Sequence, residues 1–250
     1  MILNAGVFNP PTVASVDGHE STYAVNHLGH FYLTLLLLPK LRESGPGSRL
    51  VIVSSALHSR SGANPTWPVE KKLERLIPVP AVGQRFAFLK AFRLYATSKL
   101  CNVLMAFKLH REENGNGINT YVLHPGSIPN TSIGRNSPGG AQVNKLLSRL
   151  PMMKNLEQGA ATTVYCAALP DTANVSWWGG DRLIRMIDVS GFQDSGKYYE
   201  NCWDGEGRLH KQLAHDQELQ DALWERSMEQ VRQFETKESA GEAEQTVKTD

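Results

Sequence analysis

Leu50-Val51-Ile52-Val53, followed directly by Ser54-Ser55, is an uninterrupted apolar run that ends in two hydroxyl side chains. A run of this kind is typical of a parallel strand that is buried on both faces of its sheet. Apolar helical patterns lie on either side of it, from about 18 to 41 and from about 95 to 111. This alternation of strands and helices predicts an α/β protein with a doubly wound parallel sheet.

Two further predicted strands end in motifs of their own. Met1-Ile2-Leu3 is followed by Asn4-Ala5-Gly6, and a strand over 119–123 is closed by His124 and then Pro125-Gly126. Ligands of doubly wound sheets bind outside the carboxyl ends of the strands. We therefore expect these two motifs and Ser54-Ser55 to lie at one edge of the sheet and to form the functional site.

Tyr95 and Lys99 are four residues apart in a predicted helix, which places them on one face. There the lysine ammonium can lower the pKa of the phenol and make tyrosine a usable proton donor near neutral pH. The spacing alone is weak, because an exposed pair on a helix surface gives the same pattern. The strand-end motifs favour the functional interpretation.

The composition limits the classes of function. The chain has 250 residues, 41% hydrophobic content and a net charge of +1, which suit one α/β domain and do not indicate a nucleic-acid partner. The apolar run 33–38 is too short to span a bilayer. With three scattered cysteines and no signal peptide, we expect free thiols and a cytoplasmic protein.

Some residues also suggest other functions. His27 and His30 are three apart but have no third ligand at a suitable spacing, so no metal site is expected. His58 follows Ser54-Ser55 and suggests a hydrolase, yet the serines are not in a Gly-x-Ser-x-Gly turn. The domain is expected to span 1–235, with a disordered polar tail over 236–250.

Taken in order, these motifs resemble the short-chain dehydrogenase/reductase family. The matching elements are Asn4-Ala5-Gly6, Val25-Asn26-His27, Ser54-Ser55, Tyr95 with Lys99, and Pro125-Gly126. The segments around 26–33, 98–102 and 158–168 are similar to its retinol-dehydrogenase-like subgroup and to the reductase domains of WW-domain oxidoreductases. The resemblance implies a Rossmann-like fold, an NAD or NADP cofactor and a small-molecule carbonyl or alcohol substrate.

The resemblance also implies roles for the catalytic residues. Tyr95 would be the general acid/base, and Lys99 would bind the nicotinamide ribose and lower the pKa of Tyr95. Ser55, rather than Ser54, would polarise the substrate carbonyl. Asn26 would hold a water for proton relay, and the alternative is that it caps or bends a helix.

The cofactor-binding residues follow in the same way. Asn4, Ala5 and Gly6 would line the adenine-ribose side, and Pro125-Gly126 would pack beside the nicotinamide. Residues 127–150 would form the substrate lid. The helices over 18–41 and around Tyr95 would form the interface of a homodimer.

One element of the family pattern is absent from the sequence. No glycine-rich phosphate-binding turn follows a strand and opens a helix. We therefore expect the carboxyl-terminal part of the fold, lacking the first βαβ units, with weak or no dinucleotide binding and no way to tell NAD from NADP. Two interpretations stay open: an incomplete oxidoreductase, with a lipophilic retinoid- or steroid-like substrate, and a truncated non-catalytic binding or regulatory protein.

Overall fold

A computed structural model describes the backbone of residues 1–8, 14–80, 87–128, 153–168 and 195–247. Within these residues, five strands form one sheet in the order β1 to β5: Ile2–Leu3, Ser48–Val53, Ile118–His124, Tyr198–Glu200 and Trp203–Asp204. Strands β1 to β4 are parallel, and β5 is antiparallel to β4.

Strand β2 is buried on both faces, as its apolar run predicts. Leu50 and Ile52 belong to one hydrophobic cluster, whereas Val51 and Val53 belong to a second cluster on the opposite face. All four residues are at most 4% exposed. The sheet is thus covered by helices on both sides, and the α/β doubly wound, Rossmann-like prediction is confirmed.

Seven α-helices occur in the described residues: α1 Ser21–Tyr23, α2 Gly29–Glu43, α3 Val69–Leu76, α4 Ala87–Glu113, α5 Leu156–Ala168, α6 Lys211–Ala214 and α7 Gln217–Val247. A π-helical segment, Ala24–Leu28, joins α1 to α2. Residues of α2, α4 and α7 pack in the first cluster, and residues of α5 pack in the second. None of the described helices is long and apolar enough to cross a membrane.

Several boundaries differ from the sequence predictions. Helix α4 begins eight residues earlier than Tyr95, because residues 87–94 are rich in Ala, Leu, Lys and Arg, which favour helix. Helix α7 continues to Val247, so most of the segment expected to be a disordered tail is helical. Its Glu, Ala, Lys and Gln content carries high helix propensity despite its low hydrophobicity.

Strand β5 was not predicted. It follows a tight turn in which Asn201 and Cys202 both have positive φ, a geometry that sequence patterns usually reveal through glycine. Most of the predicted lid, 129–150, lies outside the described residues.

Candidate active site

The three strand-end motifs meet at one edge of the sheet. Asn4 follows β1, Ser54 follows β2 and Pro125 follows β3, and these three strands are parallel neighbours. Helix α4 crosses beside this edge, and its Lys99 reaches the last residue of β2. The sheet and one helix therefore bring the predicted site residues together.

Tyr95 and Lys99 lie on the same face of α4, as their spacing predicts. The Lys99 ammonium nitrogen is 5.7 Å from the centroid of the Tyr95 ring. Burial raises the pKa of the Tyr95 phenol to about 12, while a side-chain hydrogen bond with Ser55 opposes that rise. Burial also lowers the pKa of Lys99 to about 8.

These values correct one expectation. Lys99 does not lower the pKa of Tyr95 below its usual value in this structure, because desolvation of the phenol outweighs the effects that favour ionisation. At neutral pH the phenol is protonated. It can therefore give a proton to a substrate oxygen and hold a hydrogen bond to it.

Lys99 is only 3% exposed, and its Nζ donates a 3.0 Å hydrogen bond to the carbonyl oxygen of Val53. That carbonyl is at the carboxyl end of β2, immediately before the two serines. The ammonium is thus held inside the protein at the point where the strand, the serines and α4 meet.

The two serines have different environments. Ser54 Oγ donates a 2.7 Å hydrogen bond to the carbonyl of Lys99, so this hydroxyl is committed to the backbone of α4. Ser55 Oγ accepts a 3.2 Å hydrogen bond from Leu57 N–H, and its hydroxyl is close enough to the Tyr95 phenol to lower the pKa of that group. Ser55 is therefore the serine that lies beside the phenol, and its catalytic role stays a prediction.

His58 has a structural environment and not that of a hydrolase base. Its Nδ1 lies 2.7 Å from the carbonyl oxygen of Ser55, and its Nε2 accepts a 3.2 Å hydrogen bond from His210 N–H. Both ring nitrogens are thus used by the backbone. Burial lowers the pKa of His58, which keeps the ring neutral.

Asn26 lies in the π-helical segment and is fully buried. Its Oδ1 accepts from Val7 N–H at 2.7 Å, and its Nδ2 donates to Val7 O and to Ser98 Oγ, both at 3.0 Å. Ser98 Oγ in turn donates to the carbonyl of Tyr95. The side chain of Asn26 thus ties the loop after β1 to α4, and its role in proton relay stays a prediction.

Of the predicted ribose-side residues, Asn4 and Ala5 are exposed and Gly6 is half-buried. A Cβ placed on Gly6 would lie 3.3 Å from Asn26 Oδ1 and 3.5 Å from Lys99 Nζ. The absence of a side chain therefore leaves a narrow space in front of the ammonium.

Pro125 and Gly126 follow β3 at the same edge, and Gly126 has a φ of 97°. Lys154 packs directly against Gly126, since a Cβ there would lie 2.5 Å from its Cδ. Lys154 Nζ also donates to the carbonyl of Pro125 at 2.9 Å. Sequence reasoning missed this contact, because it joins segments separated by residues with no recognisable pattern.

Phe8 and Ser98 were also not assigned a role from sequence. The Phe8 ring lies 5.7 Å from the Tyr95 ring, centroid to centroid, and adds an aromatic wall beside the phenol. Ser98 is within the Tyr95-to-Lys99 segment, so its place one position before the lysine was the signal that could have found it.

The described residues contain no group of three or more His, Cys, Asp and Glu side chains that could hold a metal ion. His27 and His30 are buried, and desolvation lowers their pKa values to about 3 and about 4. His27 Nε2 lies 3.1 Å from Ser227 Oγ on α7, which gives it a packing role between helices.

The chain is similar to three kinds of curated protein. It is 39% identical to WW domain-containing oxidoreductase from Homo sapiens, over 68% of this chain and 39% of that protein. It is 35% identical to retinol dehydrogenase 14 from Homo sapiens, over 70% of this chain and 48% of that protein. It is also 35% identical to short-chain dehydrogenase TIC 32 A from Brassica napus, over 92% and 63% respectively.

A solved structure, that of an uncharacterised protein from Mycobacterium paratuberculosis, covers 92% of this chain and 66% of its own at a TM-score of 0.52 and 25% identity. No protein-family model matches the chain. The chain spans between 39% and 63% of the length of the curated relatives just described.

The site geometry and these similarities agree. The parallel sheet brings Ser55, Tyr95, Lys99 and Asn26 together at its carboxyl edge, and the relatives named for short-chain and retinol dehydrogenation align with most of the chain. The chain belongs to the short-chain dehydrogenase/reductase family, close to the WW domain-containing oxidoreductases, retinol dehydrogenase 14 and TIC 32.

Proposed function

We propose that the protein is an NAD(P)-dependent oxidoreductase that interconverts a hydroxyl and a carbonyl group. The observation that carries the proposal is the position of Tyr95, which lies beside Ser55 and above the buried ammonium of Lys99. A neutral phenol, a hydroxyl and a cation at one sheet edge are the groups that a carbonyl needs when it is reduced.

In the proposed reaction, Tyr95 donates its proton to the substrate oxygen, and Ser55 donates a hydrogen bond to that oxygen. Lys99 places a positive charge behind the phenol, which stabilises the phenolate left after transfer. Asn26 holds α4 and the loop after β1 together around these groups through its hydrogen bonds. The nicotinamide cofactor, when bound, supplies or accepts the hydride.

The cofactor would be held by the residues around Gly6. Lys99 would face the nicotinamide ribose, Asn4, Ala5 and Gly6 would line the adenine-ribose side, and Pro125-Gly126 would pack beside the nicotinamide. This description does not distinguish NAD from NADP, since both carry the nicotinamide and its ribose. The sequence printed here has no glycine-rich turn to hold the pyrophosphate. We therefore expect weak dinucleotide binding by the chain as printed.

We further propose a lipophilic substrate of the retinoid or steroid type. The similarity to a retinol dehydrogenase supports this class. The aromatic ring of Phe8, packed against Tyr95, supports it as well, because flat apolar molecules gain free energy by burying their surface against such a ring.

A second candidate is a non-catalytic binding or regulatory protein, since the 250 residues printed here contain no glycine-rich phosphate-binding turn. Titration of the purified chain with NADPH and NADH, followed by nicotinamide fluorescence, separates the two. Micromolar affinity with turnover of a retinoid or steroid carbonyl supports the enzyme. No binding by this chain, together with a native species of 27.7 kDa in its source cells, supports the regulatory protein.

A homodimer is part of the proposal. Helix α2 exposes an apolar face made of Leu33, Leu36 and Leu37 with Val25 of the π-helical segment, and these side chains are 39–56% exposed. Helix α4 exposes less surface for a dimer interface than expected, because residues Leu94 to Phe107 are largely buried. Light scattering coupled to size-exclusion chromatography tests the dimer, and Leu36→Glu should convert it to a monomer.

We also place the protein in the cytoplasm. Cys101, Cys166 and Cys202 are free thiols, two of them buried, which suits a reducing compartment. Fractionation of the source cells followed by detection of peptides from the α4 region tests this assignment, and recovery in a membrane or organelle fraction would contradict it.

A further inference from the structure

Helix α4 carries one more buried polar side chain behind the candidate site. Asn102 is three residues after Lys99, on the same side of the helix, and is 0% exposed. Its Nδ2 lies 3.5 Å from the carbonyl oxygen of Val53, which also accepts the 3.0 Å hydrogen bond from Lys99 Nζ. Asn102 and Lys99 therefore share one acceptor at the end of β2.

The other end of the Asn102 amide faces the π-helical segment. Burial lowers the pKa of His27, and the Asn102 side chain acts in the opposite direction, which places the two groups beside each other. Asn26 and His27 are consecutive, yet both point inward, Asn26 to Ser98 and His27 toward Asn102. The π-helical segment thus lies against α4 at Ser98 and at Asn102, which are four residues apart.

Asn102 therefore has two neighbours. Its Oδ1 and the Nδ1 of His27 have no closer partner among the described residues, and the two side chains act on each other. The Nδ2 of Asn102 is left for the Val53 carbonyl that Lys99 also uses. The amide thus lies between the π-helical segment and the lysine.

We propose that Asn102 is a positioning residue for Lys99, with which it shares the Val53 carbonyl. The proposal rests on the proposed function. When the ammonium turns toward a ligand hydroxyl near Gly6, the Nδ2 of Asn102 keeps the Val53 carbonyl hydrogen-bonded. Lys99 can then leave the Val53 carbonyl without leaving that buried oxygen unpaired.

The test measures Lys99 directly and needs no cofactor. The purified chain is labelled with ¹³C at the lysine ε-carbon, and the Lys99 signal is assigned with Lys99→Arg and followed against pH. Two titratable groups face Lys99 from the described elements packed around it: Tyr95 on α4 and His30 on α2. Residues Leu50 to Ser55 of β2 and its end contribute no titratable side chain.

In Asn102→Asp, a carboxylate replaces the amide beside the shared carbonyl. We expect the pKa of Lys99 to rise by about one unit or more, because a nearby negative charge favours the ammonium. Thr97→Val is the control, since Thr97 is an equally buried polar residue of α4 that bonds Ser61 O and not Val53. A Lys99 titration that moves no more in Asn102→Asp than in Thr97→Val would overturn the proposal.

A second variant is used if Asn102→Asp does not fold, as judged by the absence of a cooperative unfolding transition. Asn102→Leu keeps the volume and removes both polar atoms, and we expect the Lys99 signal to shift and broaden because the ammonium loses its neighbour. An unchanged Lys99 signal in Asn102→Leu would also overturn the proposal.

The activity arm uses any form of the protein that turns over a carbonyl substrate. There Asn102→Leu should lower kcat about tenfold and leave KM nearly unchanged, since it alters the position of a group that acts in the transition state. An unaltered kcat would contradict the positioning role of Asn102 but would leave the proposed function standing. A wild-type protein that neither binds nor turns over cofactor contradicts the proposed function and leaves the lysine titration to decide the inference.

Discussion

Ser54 Oγ donates a 2.7 Å hydrogen bond to the backbone carbonyl of Lys99, and this contact joins the end of strand β2 to the helix that carries the candidate catalytic residues. The donor is 2% exposed, so the bond is shielded from water. The position of the lysine backbone is thus fixed by the strand that also carries Ser55.

Ser54→Ala should lower the free energy of unfolding by about 1–3 kcal/mol, because the Lys99 carbonyl is left buried with one hydrogen bond fewer. Urea unfolding followed by circular dichroism measures the change. Ser59→Ala is the control, since Ser59 Oγ makes a similar 3.0 Å bond to Ala56 O at an exposed site. Equal losses in the two variants would show that burial of the Ser54 bond does not matter.

Lys72→Met tests the ion pair between helix α3 and the start of α7. Lys72 Nζ lies 2.6 Å from Asp216 Oδ2, and the two side chains are only 7% and 17% exposed. Removing the lysine leaves a largely buried carboxylate unpaired, which should cost about 3 kcal/mol.

The matched control is Lys40→Met, which breaks the Lys40–Glu43 pair at 74% and 64% exposure. Such a surface pair contributes less than about 1 kcal/mol. Thermal unfolding of both variants should therefore show a clear loss for Lys72→Met and a small one for Lys40→Met. A larger loss for Lys40→Met than for Lys72→Met would contradict the greater contribution assigned to the buried ion pair.

Stability should fall as the pH is lowered from about 6.5 toward 4. In the folded protein, burial lowers the pKa of His27 to about 3 and that of His30 to about 4. The unfolded chain binds protons on these residues below its ordinary pKa of about 6.5, whereas the folded chain does not. Each such histidine should therefore cost about 2 kcal/mol of stability at pH 5 relative to pH 7.

Urea midpoints at pH 7 and pH 5 measure this effect. In His27→Gln the difference between the two pH values should shrink by the share of one histidine. Ser227→Ala removes the hydrogen-bond partner of His27 but keeps the titrating ring, so it should retain the wild-type pH dependence. If His27→Gln keeps the full dependence, His27 is not the group that titrates.

Tyr95→Phe should reduce turnover at least ~100-fold in any active form of the protein, because it removes the proposed proton donor. Cofactor affinity should change little, since the ring and its packing against Phe8 are preserved. Lys99→Ala should damage both turnover and affinity. Steady-state kinetics with a cofactor titration distinguish these patterns, and wild-type activity in Tyr95→Phe would defeat the assignment.

The sheet edge was predictable because its signals are local. The apolar run of β2 and the motifs after β1, β2 and β3 each stand within a few residues, and parallel pairing forces their ends together. The Tyr95–Lys99 pair was predictable for the same reason, as helix periodicity alone sets their relative position.

The electrostatics and the support of the site were not predictable. The pKa of Tyr95 depends on how deeply the phenol is buried, which sequence spacing does not reveal. The contacts of Asn26 with Val7 and of Asn102 with Val53 join residues 19 and 49 positions apart, respectively. Sequence patterns with periods of two or four residues carry no information on such pairs.

The hairpin of β4 and β5 gives the sheet two unlike margins. At one side, β5 is a two-residue strand that runs against its neighbour, and such a short antiparallel strand discourages further pairing. At the other side, β1 pairs with β2 alone among the described strands and presents the backbone of Ile2–Leu3 outward. Among the described strands, the outer edge of β1 is therefore better suited to pair with an additional strand than the outer edge of β5.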